Sequence, residues 1–258
     1  MKCWYMNGAG NDFVVMDARK KDLDLSALAV RLCRLVGADG FMALDESQIA
    51  DFKLHFYNAD GSRGEMCGNG ARCICRFAYE NGLAEEEMTV ETDAGLVRGR
   101  RLSEDQYRVR LNLPSVVDLH RKGDTAYVEL GDPGVPHAVL EVPDLSWDRK
   151  EALLPLARSL RRDPAFPKGA NVNFFTMLDK KTARILTFER GVEDFTLACG
   201  TGSASLAVVL WAQVRLCGGC LTVENPGGTL KLRLETADSG ALASIHLEGP
   251  TEYTVIDL

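Results

Sequence analysis

Two alternating stretches stand at matching distances from two cysteines. Phe52-Lys53-Leu54-His55-Phe56 and Arg184-Ile185-Leu186-Thr187-Phe188 repeat with the period of two expected of half-buried strands. Each ends on a phenylalanine eleven residues before a cysteine, Cys67 or Cys199. Beyond each cysteine the period changes. Ala71 to Glu80 reads as a helix that stops at the C-cap signal Asn81-Gly82. Ser203 to Trp211 is apolar nearly all round, which predicts a buried helix.

The correspondence extends outward as an internal repeat. Cys67-Gly68-Asn69-Gly70 matches Cys199-Gly200-Thr201-Gly202, 132 positions later. Upstream, Gly10 to Val15 parallels Val135 to Leu140. Downstream, Asp93 to Leu96 parallels Pro226 to Thr229, and Val109 to Pro114 parallels Ser244 to Pro250. The order is the same throughout, with offsets of about 125 to 136 residues, so the chain reads as a duplication. The polar stretch from Pro114 to Asp124 lacks clear periodicity and marks the boundary. The expected halves are residues 1–117, carrying Cys67, and 118–258, carrying Cys199, with the last strand able to pack back on the first half. Short strands with a few helices predict an α+β (mixed α/β) fold. No dinucleotide fingerprint or phosphate-binding Gly-Lys-Ser/Thr loop is present.

Composition narrows the function classes. The 258 residues are 46% hydrophobic and 26% charged, with a net charge of -7 and scattered basic residues. That balance argues against nucleic-acid and anionic-membrane partners, which need a basic face. No apolar run is long enough to span a bilayer, and the first residues lack a signal peptide's apolar core, so a cytoplasmic enzyme is expected. Eight cysteines in a chain of this size do not require a disulfide framework.

A cysteine that opens a helix sits where free backbone N–H groups and the helix dipole favour an anion, which lowers a thiol's pKa. The same N–H groups can hold a carboxylate. Two such helices converging on one carboxylate would leave Cys67 and Cys199 on opposite faces of its α-carbon. One thiolate would then remove the α-proton while the other thiol delivers a proton from the far side. Hydrogen bonds and helix N-termini would stabilise the carbanion. A single cysteine is more often a small buried hydrophobe. Its recurrence at equivalent places in a duplicated chain favours the chemical reading.

These residues resemble the diaminopimelate epimerase family almost from end to end. The similarity begins at Asn7-Gly8-Ala9-Gly10-Asn11-Asp12-Phe13 and continues through Gly37-Ala38-Asp39-Gly40, Phe56 to Ser62 and Met66 to Cys73. It resumes at Pro136-His137-Ala138-Val139, Ala170 to Phe174, and Glu189 to Asp194 leading into Ala198-Cys199-Gly200-Thr201-Gly202. The resemblance implies two similar domains, each a barrel-like sheet around a central helix, with the active site in the cleft between them. It implies interconversion of LL- and meso-diaminopimelate for lysine and peptidoglycan precursors without a cofactor, and a homodimer. Cys67 and Cys199 match the catalytic pair. Gly68, Asn69, Gly200 and Thr201 match the backbone donors to the carboxylate at the reacting centre. Asn11, Asn58, Asn171 and Arg190 match the residues that hold the substrate, a diamino dicarboxylic acid whose distal carboxylate suits an arginine fork. Glu189 and His137 match polar residues at the reacting amino group that tune the thiols. The chain departs from the family pattern at Val135, Gly40 and Phe195.

Cys217-Gly218-Gly219-Cys220 has zinc or redox spacing, and Cys73-Ile74-Cys75 is a second cysteine-rich stretch. Gly218-Gly219 reads as a helix-ending turn and Cys73 belongs to the predicted helix, so no metal site is assigned. Two alternatives stay open: another two-thiol racemase, acting on proline, hydroxyproline or histidine, and a non-catalytic thiol- or metal-binding protein.

Overall fold

The computed structural model describes residues 2–64 and 67–257, which form two compact units. The first unit runs to Arg110 and regains the chain from Glu248 onward; the second comprises Leu111–Leu247. In chain order the first unit contains β1 (Lys2–Gly8), β2 (Asn11–Asp17), α1 (Leu25–Val36), β3 (Gly40–Asp45), β4 (Phe52–Asn58), β5 (Arg63–Gly64), α2 (Gly68–Glu80), β6 (Glu87–Thr92), β7 (Gly95–Arg101) and β8 (Gln106–Leu111). The second contains β9 (Pro114–Lys122), β10 (Thr125–Gly131), β11 (Gly134–Glu141), α3 (Lys150–Arg161), β12 (Asn171–Met177), β13 (Thr182–Phe188), β14 (Phe195–Thr196), α4 (Gly200–Ala212), β15 (Cys220–Asn225), β16 (Gly228–Thr236) and β17 (Leu242–Pro250). The final strand, β18 (Glu252–Asp257), returns to the first unit and pairs antiparallel with β1.

The sheet of the first unit runs β18-β1-β2-β3-β4-β6-β7-β8. Its successive pairings are antiparallel except β2–β3 and β4–β6, which are parallel. The second unit runs β9-β10-β11-β12-β13-β15-β16, again antiparallel except β11–β12 and β13–β15. The seven strands of the second series match the first seven of the first in order and direction, with β9 in the place of β18. Parallel neighbours need a crossover. Each of the four crossovers is a helix: α1 and α2 in one unit, α3 and α4 in the other. The stretch expected at the domain boundary is therefore strand β9 of the second unit. Its residues are mostly half-buried or exposed, which is why no clean alternation marks it in the sequence.

Helices cover the sheets on both faces. In the first unit Ala29, Leu32 and Cys33 of α1 pack with Cys3, Val14, Met16, Phe41 and Ala43 on one face. Asp24 caps this helix by accepting the Ala27 N–H at 3.0 Å, and Gly37 ends it in the left-handed conformation (φ 75°). On the other face α2 packs against β1, β2, β3 and β7, strands from both parts of the sheet, so the sheet curls around it. Trp4 meets Phe77 edge-on there, with ring centroids 4.8 Å apart. With both faces covered, β3 and the middle of β2 are buried without alternation. In the second unit α3 joins Tyr127, Phe166, Phe174 and Phe188 on one face, while α4 packs against β9, β10, β11, β12 and β16 on the other. Both α2 and α4 are buried over most of their length.

Candidate active site

Each of the two matched helices begins at the residue after its cysteine. α2 and α4 are both 13 residues long, and Cys67 and Cys199 are their N-caps in extended conformation, φ/ψ -125/123° and -120/110°. The cysteine carbonyls accept the first helical bonds, from Ala71 N–H at 2.7 Å and Ser203 N–H at 2.9 Å. Both helices thus start three residues before the apolar runs from which they were read, because the glycine-rich first turns carry no hydrophobic signal. Cys199 is buried at 5% exposure and Cys67 is half-buried. The Cys199 Sγ accepts the Gly202 N–H at 3.3 Å and lies 3.5 Å from Thr201 Oγ1. These contacts hold the sulfur against the positive end of α4, where negative charge is favoured.

Around the α2 N-terminus the structure brings Asn11 and Asn69 together: Asn69 Nδ2 donates to Asn11 Oδ1 at 2.5 Å. Asn58, at the exposed end of β4, donates its amide to Ser62 Oγ at 2.9 Å within the following turn. Gly40 borders this region. A Cβ there would lie 2.8 Å from the Phe56 ring and 3.1 Å from the Tyr57 carbonyl, so packing leaves no space for a longer side chain.

In the second unit, His137 on β11 is wholly buried. Asn173 on β12 aims its Nδ2 at His137 Nδ1 (3.2 Å), the Ala138 carbonyl (2.9 Å) and the Asn171 carbonyl (3.3 Å). Its Oδ1 accepts the Thr187 hydroxyl of β13 at 2.9 Å. Two carbonyls at Nδ2 and a hydroxyl at Oδ1 fix the orientation of the amide, so Asn173 donates to the imidazole. The His137 proton then resides on Nε2, which has no hydrogen-bond partner among the described residues. Burial, and next the Arg190 cation, push the His137 pKa down to about 3. The ring is a neutral N–H donor at physiological pH.

Asn171 holds the loop that follows β13. Its Nδ2 donates to the Pro136 carbonyl at 3.1 Å and its Oδ1 accepts the Arg190 N–H at 2.8 Å. Arg190 is exposed, with Nη1 donating to the Lys168 carbonyl at 3.0 Å; Glu189 beside it is half-buried. Phe195 is half-buried and packs against the hydrophobic core, on Phe188 and Phe174, with ring centroids 5.5 and 6.4 Å away. Val135 pairs with Leu130 across β10 and β11.

Sequence reading passed over Asn173 and Thr187. Asn171 and Asn173 share one face of β12 by the period of two. That Asn173 serves a histidine 36 positions earlier depends on the strand pairing. The remaining thiols separate by environment. Cys73 and Cys75 are wholly buried, which pushes both up to about 12, whereas Cys217 is exposed and Cys220 half-buried. Among the described residues no three His, Cys, Asp or Glu side chains form a metal-binding group, and no helix is long and apolar enough to cross a membrane.

Two sheet-wrapped domains, each with a cysteine capping its central helix, place the chain in a recognisable structural class. Its fold is similar to that of a phenazine biosynthesis protein of the PhzF family from Bacillus anthracis, with TM-score 0.75 at 14% identity over 100% of this chain and 98% of the other. A probable proline racemase from Agrobacterium radiobacter K84 also shares it, with TM-score 0.68 at 18% identity over 100% and 92% of the two chains. Within that class, the family model for diaminopimelate epimerase matches residues 3–115 and 131–251, and the chain belongs to this family. It is 38% identical to the diaminopimelate epimerase of Aquifex aeolicus over 83% of this chain and 82% of that one. It is 32% identical to that of Flavobacterium psychrophilum over 98% of both.

Proposed function

We propose that this protein interconverts LL- and meso-diaminopimelate without a cofactor, one of Cys67 and Cys199 removing the α-proton and the other donating its own proton to the opposite face. The observation that carries the reading is the duplicated N-cap: each domain puts one cysteine at the first turn of its central helix. Family membership names the substrate class, an amino acid with a second amino-acid head.

Stereoinversion requires a base on one face of the α-carbon and an acid on the other. One cysteine, as thiolate, takes the α-proton and becomes a thiol. The other thiol gives its proton to the opposite face and becomes the thiolate, so each turnover exchanges their roles. Backbone N–H groups of Gly68, Asn69, Gly200 and Thr201 bind the α-carboxylate and stabilise the charge that develops on it. The neutral Nε2–H of His137 supplies a hydrogen bond in a buried setting, with Glu189 at the reacting amino group. Arg190, on the loop tied by Asn171, receives the distal carboxylate together with Asn11 and Asn58. The enzyme is read as a cytoplasmic homodimer; sedimentation giving only monomer would remove the dimer.

Incubation with LL-diaminopimelate in heavy water tests the reading. The expected result is α-deuterium incorporation with formation of the meso isomer. Absence of exchange with any diamino acid would overturn it, and exchange with proline or histidine instead would select the racemase reading.

A further inference from the structure

The first unit buries a cation whose position the two-thiol reading does not use. Arg72 is the fifth residue of α2 and is wholly buried. Side chains on a helix lean toward its N-terminus, so a residue here reaches back over the first turn. Nη1 does so, donating to the Gly68 carbonyl at 3.2 Å, one residue from Cys67. Nε and Nη2 have no hydrogen-bond partner among the described residues. A guanidinium does not shed its proton, and an isolated charge in a protein interior is strongly disfavoured unless an anion shares its field.

Among the described residues, the ionisable groups acting on Arg72 are three thiols, Cys67, Cys73 and Cys75, and no carboxylate. Cys73 and Cys75 lie wholly within the core and stay protonated. Arg76 and, from β2, Asp12 also act at this end of the helix, on Cys73. Arg76 is engaged with Glu80 and the Thr251 carbonyl, and Asp12 with the Asn7 amide at 2.7 Å. Cys67 is the half-buried thiol of the three and the one at the positive end of the helix dipole. In α4 the corresponding residue is the buried Ala204.

We propose that Arg72 is the resident counter-cation of the Cys67 thiolate, a positioning residue that keeps Cys67 ionised in the resting enzyme while Cys199 rests as the thiol. This rests on the two-cysteine reading for its role in turnover, but its chemistry is testable without substrate. The two thiols would then enter the reaction unequally prepared, Cys67 as base and Cys199 as acid, although the folds that carry them repeat.

The test is alkylation of the full-length protein by iodoacetamide across a range of pH, with modification at Cys67 read by peptide mass mapping. In the unaltered protein the Cys67 rate should reach half its plateau below the midpoint of free cysteine in the same buffers. Arg72→Met should move that midpoint up by about one pH unit or more, lowering the rate at pH 7 about tenfold. Arg72→Lys should restore most of the shift, and Cys199 should keep its own midpoint. A role in packing alone would change the plateau rate and leave the midpoint in place. A Cys67 midpoint at or above that of free cysteine in the unaltered protein overturns the proposal, even if Arg72→Met fails to fold. Equal midpoints in all three proteins do the same. A low midpoint that depends on Arg72, found together with no deuterium exchange on diaminopimelate, would sustain this inference while the substrate assignment fell.

Discussion

The helices α2 and α4 occupy equivalent places in two sheets of the same topology, yet almost everything around their first turns differs. At the start of α4 the cysteine sulfur is tied to Gly202 N–H and stands beside Thr201. Beneath that turn His137, Asn173 and Thr187 form a chain of side chains across three neighbouring strands. The α2 cysteine has no side-chain cap bond; its helix carries the buried Arg72 and an Asn69–Asn11 amide pair. Duplication preserved the element that presents a thiol. Divergence gave one thiol a buried cation in its helix and the other a helix start packed on a neutral histidine network. A reaction that needs one acid and one base has a use for that asymmetry.

The largest test of the comparison removes each sulfur in turn. Cys67→Ala and Cys199→Ala should each lower two-way epimerisation by roughly 10³-fold, within the range of positioned acid–base groups. Assays from the LL and the meso side would read this, and substantial two-way turnover in either variant would break the equivalence of the pair.

The glycines at the third position of each helix should respond unequally. A Cβ on Gly202 would overlap Asn173 Oδ1 and lie 3.1 Å from Thr187 Oγ1, both parts of the network that holds His137. Gly202→Ala should therefore cost about 1–3 kcal/mol of stability and reduce activity. At Gly70 the nearest atom is the flexible Met42 Sδ, also at 3.1 Å. Gly70→Ala should change stability by less than about 1 kcal/mol, since alanine's better helix propensity offsets the crowding. Urea titrations of both variants check this, and equal losses would mean that the two helix starts are packed alike.

The buried histidine should give the second unit a pH dependence. The His137 pKa falls from its ordinary 6.5 to about 3 on folding, so between these values the unfolded chain holds a proton that the folded one lacks. Its contribution is complete above about pH 6.5 and is lost progressively as pH falls toward 3. Between pH 7.5 and 5 the loss is on the order of 2 kcal/mol, and His137→Gln should flatten that part of the profile. An unchanged slope in the variant would show that His137 is already protonated in the fold.

The smallest effect belongs to Phe195, where the chain departs from the family pattern. Phe195→Leu should cost about 1 kcal/mol through the lost ring contact with Phe188 and leave KM unchanged. A several-fold change in KM at unaltered stability would place the ring against substrate instead.

Much of this molecule was written locally. The strands ending at Phe56 and Phe188, the two helices behind Cys67 and Cys199 and the duplication itself follow from residue periodicity and spacing, which neighbouring residues set by themselves. Gly40 was visible as a departure, but its reason, the Phe56 ring across the β3–β4 pair, was not. Other features depend on which distant strands become neighbours. β9 replaces β18 at the sheet edge of the second unit, a choice made by pairing and not by any pattern in its largely exposed residues. The tautomer of His137 is decided by an asparagine and a threonine reached only through the β11–β12 and β12–β13 registers. Arg72 lies in plain view within the cysteine motif, and a sequence scale would put an arginine at the surface. Only the wrapping of the sheet around α2 takes it out of water, because burial belongs to the whole packed unit and not to the residue.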